Sequence, residues 1–247
     1  MVRTRVIPCL LLRGHGLVKT RKFGDATYIG DPVNAVRIFS EKEVDELVVL
    51  DIDASREARE PNYALIAEIA GECFMPMAYG GGIRTLEQIR RLIRCGVEKV
   101  VINSAAIEDM QVIREAAAVF GSQAVVGAVD VKRTLFGGLR VVGKSATVEA
   151  KCKFEDHLAR LQAAGAGEIL VNSVDRDGMM AGYDLELIRS AARCVTVPLV
   201  VCGGAGTPQH LLEAREAGAS ALAAGSMFIF HGKHRAVLIS YPSEVRI

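Results

Sequence analysis

The chain has 247 residues, half of them hydrophobic, with 30 basic and 29 acidic side chains and a formal net charge of +1. That is enough apolar material for one large core, and the chain is expected to form a single domain. The even charge, with no Lys/Arg-rich run, argues against nucleic acid or an anionic membrane as partner. The start, Met1 to Leu12, carries Arg3 and Arg5 and only a brief apolar run, too short for an export signal or a membrane span. The six cysteines form no C-x-x-C pair, and several sit in strand or helix patterns that suit a buried free thiol, so the protein is expected in a reducing cytoplasm.

Taken in chain order, short Val/Ile/Leu-rich runs alternate with longer segments of helical period. The strands are expected at Arg5–Leu12, Glu46–Asp51, Met75–Tyr79, Lys99–Ile102, Ala124–Asp130, Glu168–Asn172, Pro198–Cys202 and Ala221–Ala224. The helices are expected near Pro32–Glu43, Tyr63–Glu72, Leu86–Cys95, Asp109–Phe120, Phe154–Ala164, Asp184–Arg193, Pro208–Ala217 and His234–Ser240. Eight such units in this length predict a (β/α)8 barrel of the α/β class, a TIM barrel, with an open doubly wound sheet as the alternative. Two connections break the rhythm. Arg13 to Asp31 is a long polar loop, and Lys132 to Lys151 holds Gly137-Gly138 and an alternation that suits a hairpin. Both follow the first strand of a half, and in a barrel both hang over the C-terminal face.

The halves themselves are related. A shift of 122 positions lays Glu46-Leu47-Val48-Val49-Leu50 on Glu168-Ile169-Leu170-Val171-Asn172, and Asn103-Ser104-Ala105 on Gly225-Ser226-Met227. The repeat predicts half-barrels of about residues 1–122 and 123–247. It also matches two glycine clusters, Gly80-Gly81-Gly82 and Gly203-Gly204-Ala205-Gly206, each between a strand and a helix. Such turns present bare backbone N–H groups to an anion, so a substrate with two phosphates is expected.

Polar residues gather at the strand ends: Asp51 and Asp53, Asn103 and Ser104, Asp130, then Asn172, Asp175 and Asp177. Asp53 and Asp175 read first as caps or loop anchors. Asp130 ends an almost wholly apolar run and so faces the mouth of a dry barrel, where a carboxylate acquires a raised pKa suited to proton transfer. Lys19, inside the first long loop, is either a phosphate contact or a solvated lysine. Arg5, Glu46, Lys99 and Glu168 stand at or near strand starts, which predicts an ion-pair ring closing the bottom of the barrel, read either as a stabilising device or as a gate. The five histidines form no zinc motif and the glycine segments no nucleotide-binding loop, so neither a metal nor another cofactor is expected.

These segments resemble the cyclase subunits of imidazole glycerol phosphate synthase, half-barrel-repeat enzymes of histidine biosynthesis. The resemblance runs nearly end to end and rests on Gly30-Asp31-Pro32, Asp45 to Ile52, Gly80 to Ile83, Phe120 to Val125, Gly165 to Leu170, Asp175-Arg176-Asp177-Gly178 and Gly203 to Gly206. It implies one phosphate held by Gly82, Asn103 and Ser104, and the other by Asp177, Gly178, Gly204, Gly225 and Ser226, with Asp51 and Asn172 also lining the substrate site. It further implies a mobile lid around Lys19, and a gate of Arg5, Glu46, Lys99 and Glu168 that admits ammonia from a glutaminase partner in a heterodimer. The implied reaction joins ammonia to a ribulosyl-type bisphosphate, giving imidazole glycerol phosphate and an aminoimidazole nucleotide.

The family's catalytic pair is two aspartates, at the ends of strands one and five. Asp130 fits the second, but Leu11 stands at the first, and no acidic residue precedes Asp25. Loss of a general acid or base costs about 10²–10⁴ in rate, on the order of 3–5 kcal/mol. The sequence leaves three functions open: a cyclase working through Asp130 alone, a paralogue passing ammonia to another acceptor such as a sugar amidinated for surface polysaccharide, and a non-catalytic activator of a glutaminase. The two phosphate turns count against the last.

Overall fold

Parallel strands buried on both faces need continuous apolar runs rather than alternation, and the eight runs of this chain form such strands. A computed structural model describes residues 4–242; residues 1–3, where the reading of the chain start begins, and 243–247, where the second predicted half ends, lie outside it. The barrel strands are β1 (Arg5–Arg13), β2 (Leu47–Asp51), β3 (Met77–Gly80), β4 (Lys99–Ile102), β5 (Val125–Arg133), β6 (Glu168–Ser173), β7 (Leu199–Cys202) and β8 (Ala221–Ala224). Each pairs in parallel with the next. β8 pairs with β1, with Arg5 opposite Ala221, and β5 pairs with β6, with Asp130 opposite Asn172, so the sheet closes. An open doubly wound sheet would have left two edges, and none remains among these strands.

Around the barrel lie α1 (Pro32–Glu41), α2 (Tyr63–Gly71), α3 (Leu86–Arg94), α4 (Gln111–Phe120), α5 (Phe154–Ala163), α6 (Leu185–Cys194) and α7 (Pro208–Glu216). Their starts are set by side-chain caps. Asp31 accepts from Asn34 N before Pro32, Thr85 and Gln88 form a reciprocal capping box, and Thr207 accepts from His210 N before Pro208. One apolar layer lies between strands and helices. A second fills the barrel, with Ile7, Cys9, Val48, Ala78, Val101, Val126, Leu170 and Val200 pointing inward.

The region expected to hold an eighth helix over His234–Ser240 is folded otherwise. A single turn, Ser226–Ile229, follows β8, and Phe230–His231 then pairs antiparallel with Ala236–Val237. Gly232 and Arg235 take positive φ, which a helix cannot accommodate, and the Arg235 guanidinium lies 4.4 Å from the Phe230 ring centre and donates to Gly178 O at 3.3 Å.

The two long connections differ in outcome. Lys132 to Lys151 forms the expected hairpin: β5 runs on to Arg133 and pairs with Leu139–Gly143, which pairs with Val148–Glu149. Arg13 to Asp31 is not a polar loop. Gly16–Lys19 pairs back onto β1, and Thr27–Gly30 pairs with Gly16–Lys19, burying Leu17, Val18, Lys19 and Thr20. The Leu17-Val18 pair, apolar within a Gly-rich stretch, is the signal for this strand. No helix among the described residues is long and apolar enough to cross a membrane.

Candidate active site

The C-terminal ends of the strands surround one pocket, lined by Leu11, Lys19, Asp51, Gly82, Asn103, Ser104, Asp130, Asn172, Asp177, Gly178, Gly204, Gly225 and Ser226. Every residue assigned from sequence to catalysis or substrate binding therefore lines a single space.

Asp130 is the carboxylate at its base. Asn103 Nδ2 donates to Asp130 Oδ2 at 2.6 Å, and Asn172 Nδ2 to Oδ1 at 3.2 Å. Desolvation among the apolar residues of the barrel mouth pushes its pKa up to about 7, with the nearby Asp177 charge adding to the rise; the two carboxamide donors pull the other way. Such a group exchanges protons readily at physiological pH. The carboxamide oxygens of Asn103 and Asn172 have no partner of their own among the described residues.

The other strand-end acids are occupied. Asp51 accepts from the backbone N–H groups of Asp53 and Ala54 and from Arg59. Asp53 binds Arg13 and Arg56, and Asp175 accepts from Arg133 N, so both are anchors. Asp177 accepts from Thr20 Oγ1 at 2.6 Å and from Phe23 N at 3.3 Å, tying the Lys19 segment to the β6 loop, and burial raises its pKa.

Lys19 is not a solvated lysine. It is 5% exposed, donates to Cys9 O, and leaves no room for a side chain at Gly225. Its ammonium therefore stands beside the turn that precedes Ser226.

Both glycine turns use positive φ at two successive glycines, +117° and +73° at Gly81 and Gly82, and +92° and +114° at Gly203 and Gly204. A Cβ on Gly82 would lie 2.6 Å from Arg59 O, so only glycine fits. Single helical turns begin at Ser104 and Ser226 beside these glycines, and neither is capped by a side chain. Ser104 Oγ accepts from Lys144 N at 2.9 Å, and Ser55 Oγ from Gly82 N at 3.2 Å.

Sequence reasoning missed Thr20, Phe23, Ser55, Lys144, Ser145 and the Cys9/Cys202 pair, all of which line the pocket. The two thiols are hydrogen-bonded to each other inside the barrel, which holds the Cys9 pKa down. The hairpin alternation was the available signal for Lys144 and Ser145; nothing in the spacing linked Cys9 to Cys202.

At the opposite end, the four predicted ring residues meet. Arg5 pairs with both Glu46 and Glu168, and Lys99 Nζ lies 2.8 Å from Glu46 and 3.0 Å from Glu168. Both glutamates are buried.

A closed (β/α)8 barrel whose pocket opens at the C-terminal strand ends, with a carboxylate of raised pKa among its lining residues, has the form of a TIM-barrel enzyme. Comparison with known proteins narrows the class: a family model described as histidine biosynthesis protein matches residues 5–235, and the chain belongs to that family. The chain is 56% identical to a Pseudomonas aeruginosa protein provisionally named imidazole glycerol phosphate synthase subunit hisF2, over 98% of this chain and 97% of that one. It is 48% identical to a provisionally named HisF subunit of Leptospira borgpetersenii, over 98% and 96%. It is 43% identical to the imidazole glycerol phosphate synthase subunit HisF of Exiguobacterium sibiricum, over 92% and 91%.

Proposed function

We propose that this protein is a cyclase-type subunit of imidazole glycerol phosphate synthase, a lyase that receives ammonia from a glutaminase partner through the barrel and adds it to a phosphorylated substrate. The observation that carries the reading is the Asp130 carboxylate, poised near neutrality between the two glycine turns. In this reading Gly82, Asn103 and Ser104 hold one phosphate. Asp177, Gly178, Gly204, Gly225 and Ser226 hold the other, with Lys19 supplying positive charge. Asp51 orients the first site through its bonds to the loop that carries Ser55. Asp130 takes the proton released as ammonia bonds to the substrate carbon, and returns one as the ring closes and the nucleotide product leaves. The ring of Arg5, Glu46, Lys99 and Glu168 admits ammonia at the far end, and the apolar interior above it keeps ammonia uncharged. The six unpaired cysteines support a place in the cytoplasm, and the matched turns support two half-barrels within one domain.

Leu11 favours a second reading. The first aspartate of the family's pair is absent, and the place holds an aliphatic side chain that is 9% exposed. A barrel that keeps the ammonia entrance but lacks half the acid–base pair suits delivery to another acceptor, such as a sugar undergoing amidination. Activation of a glutaminase without chemistry in the pocket is the weakest alternative.

The test supplies the purified protein with ammonium salt and the bisphosphate substrate of the histidine pathway, and measures imidazole glycerol phosphate. Slow turnover that disappears in Asp130→Asn and rises in Leu11→Asp supports the cyclase reading. No turnover in the wild type, with a gain in Leu11→Asp, moves the assignment to the second reading.

A further inference from the structure

Two of the residues lining the pocket are basic, Lys19 and Lys144, and each stands in the hairpin that extends the first strand of a half-barrel. Strand register relates the two hairpins. Pro8 pairs with Ala224 as Gly127 pairs with Ile102, and Leu11 pairs with Leu50 as Asp130 pairs with Asn172, so Leu11 and Asp130 are equivalent positions of the repeat. In the returning strands Leu11 faces Val18 and Asp130 faces Val142, which makes Gly143 the counterpart of Lys19.

A side chain at Gly143 has no room, because its Cβ would lie 2.9 Å from Ile107 Cδ1 and 3.4 Å from Ser104 Oγ. The lysine therefore comes one residue later. Lys144 N donates to Ser104 Oγ at 2.9 Å, and Ser145 Oγ donates to Ile52 O, so the turn is tied down on two sides of the pocket mouth. These ties hold Lys144, Ser145 and Ala146 at φ of +50°, +57° and +63°, a run that non-glycine residues adopt only at a cost.

The result repeats the arrangement at the other turn. Lys19 stands against Gly225, and the shift of 122 positions lays Asn103 and Ser104 on Gly225 and Ser226. Lys144 thus adjoins Ser104 as Lys19 adjoins Ser226. Its ammonium lies 2.8 Å from Glu108 Oε1, and the two side chains are 32% and 63% exposed. An ion pair this wet is weak, and the flexible lysine stem can carry the charge to a stronger anion nearby.

We propose that Lys144 is the cation of the first phosphate site, exchanging Glu108 for a phosphate held at Gly82, Asn103 and Ser104. This rests on the reading of the two glycine turns as phosphate sites, the second of them served by Lys19.

The test is titration of the full chain with inorganic phosphate, followed by amide-resolved NMR. Gly82 and Ser104 report the first site, and Gly204 and Ser226 the second. Both sets are expected to shift in the wild type. Lys144→Met is expected to weaken the first site by about three- to tenfold and to leave the second within about twofold, while Lys144→Arg restores the first. Glu108→Gln frees the lysine and is expected to tighten the first site by about twofold, a readout that stands even if replacing Lys144 disturbs the hairpin. A first site unmoved by Lys144→Met overturns the assignment and leaves the phosphate sites standing, as does equal weakening of both sites. A first site unchanged in Glu108→Gln overturns the exchange of partners. Absence of shifts at both sets in the wild type overturns the phosphate reading itself, and the inference with it.

Discussion

Asn103 donates to the Asp130 carboxylate across 2.6 Å, and it does so from the residue that opens the helical turn at Ser104. One side chain thus joins the proposed proton-transfer group to the first proposed phosphate turn. Replacing it with leucine removes a donor to the charged form, so the pKa of Asp130 rises further. Asn103→Leu is expected to move the rising limb of the pH–rate profile to higher pH and to slow turnover at pH 7 by about 3- to 10-fold. An unmoved limb would mean that Asn103 does not govern the carboxylate.

The same carboxylate makes stability depend on pH. Its pKa is about 7 in the folded protein, against an ordinary carboxylate value of 3.8. The folded state therefore holds a proton that the unfolded chain releases between about pH 4 and pH 7, so the contribution of Asp130 is full below that window and lost as pH rises through it. Between pH 5 and pH 8 this term is expected to lower unfolding free energy by about 2 kcal/mol. Urea midpoints of wild type and Asp130→Asn at the two pH values isolate it, since the variant should lose that part of the drop.

At the far end, Glu46 is an acceptor for both Arg5 and Lys99. Glu46→Ala leaves two partly buried cations sharing Glu168 alone, which is expected to cost about 2 kcal/mol of stability, less than for a wholly buried pair because Arg5 and Lys99 keep some water. Chemical denaturation measures it. A loss under about 0.5 kcal/mol would assign the ring no stabilising role.

Two glycines with similar backbone angles should respond differently to alanine. Gly14 has φ +60° and open space within 4 Å of the point a methyl would occupy, whereas Gly178 has φ +68° and a Cβ there would strike Thr20 O. Gly14→Ala is expected to cost about 1 kcal/mol from backbone strain alone. Gly178→Ala should cost about 2–3 kcal/mol, displace the segment carrying Lys19, and weaken phosphate-ester binding at least tenfold. Equal effects of the two substitutions would contradict the packing of Thr20 on Gly178.

Much of this architecture follows from local pattern. The apolar runs at Val48-Val49-Leu50 and Val125 to Val129 have no polar alternation, so they suit only strands covered on both sides, and eight of them separated by amphipathic helices close into a barrel. The repeat of 122 positions places the two glycine turns at equivalent strand ends, and the apolar run that ends in Asp130 puts that acid at the mouth of the barrel. Leu11, where the resemblance implies an acid, is equally plain in the sequence.

What the sequence left open was decided by distant contacts. Arg13 to Asp31 carries the glycines and charges of a loop, yet it folds onto β1 because Leu17 and Val18 find apolar cover there and Asp177, far along the chain, ties down Thr20 and Phe23. Lys19 has the same sequence surroundings whether solvated or buried; only the space left by Gly225 admits it to the pocket. Asp51, Asp53, Asp130 and Asp175 are alike as strand-end acids, and they part company through their partners: arginines or backbone N–H groups for three, two carboxamides for Asp130. Local pattern sets where each strand ends and what residue stands there. Whether that residue is neutralised, buried or left free depends on groups brought beside it by closure of the barrel, and a charge's energy is set by those neighbours and by the water they exclude.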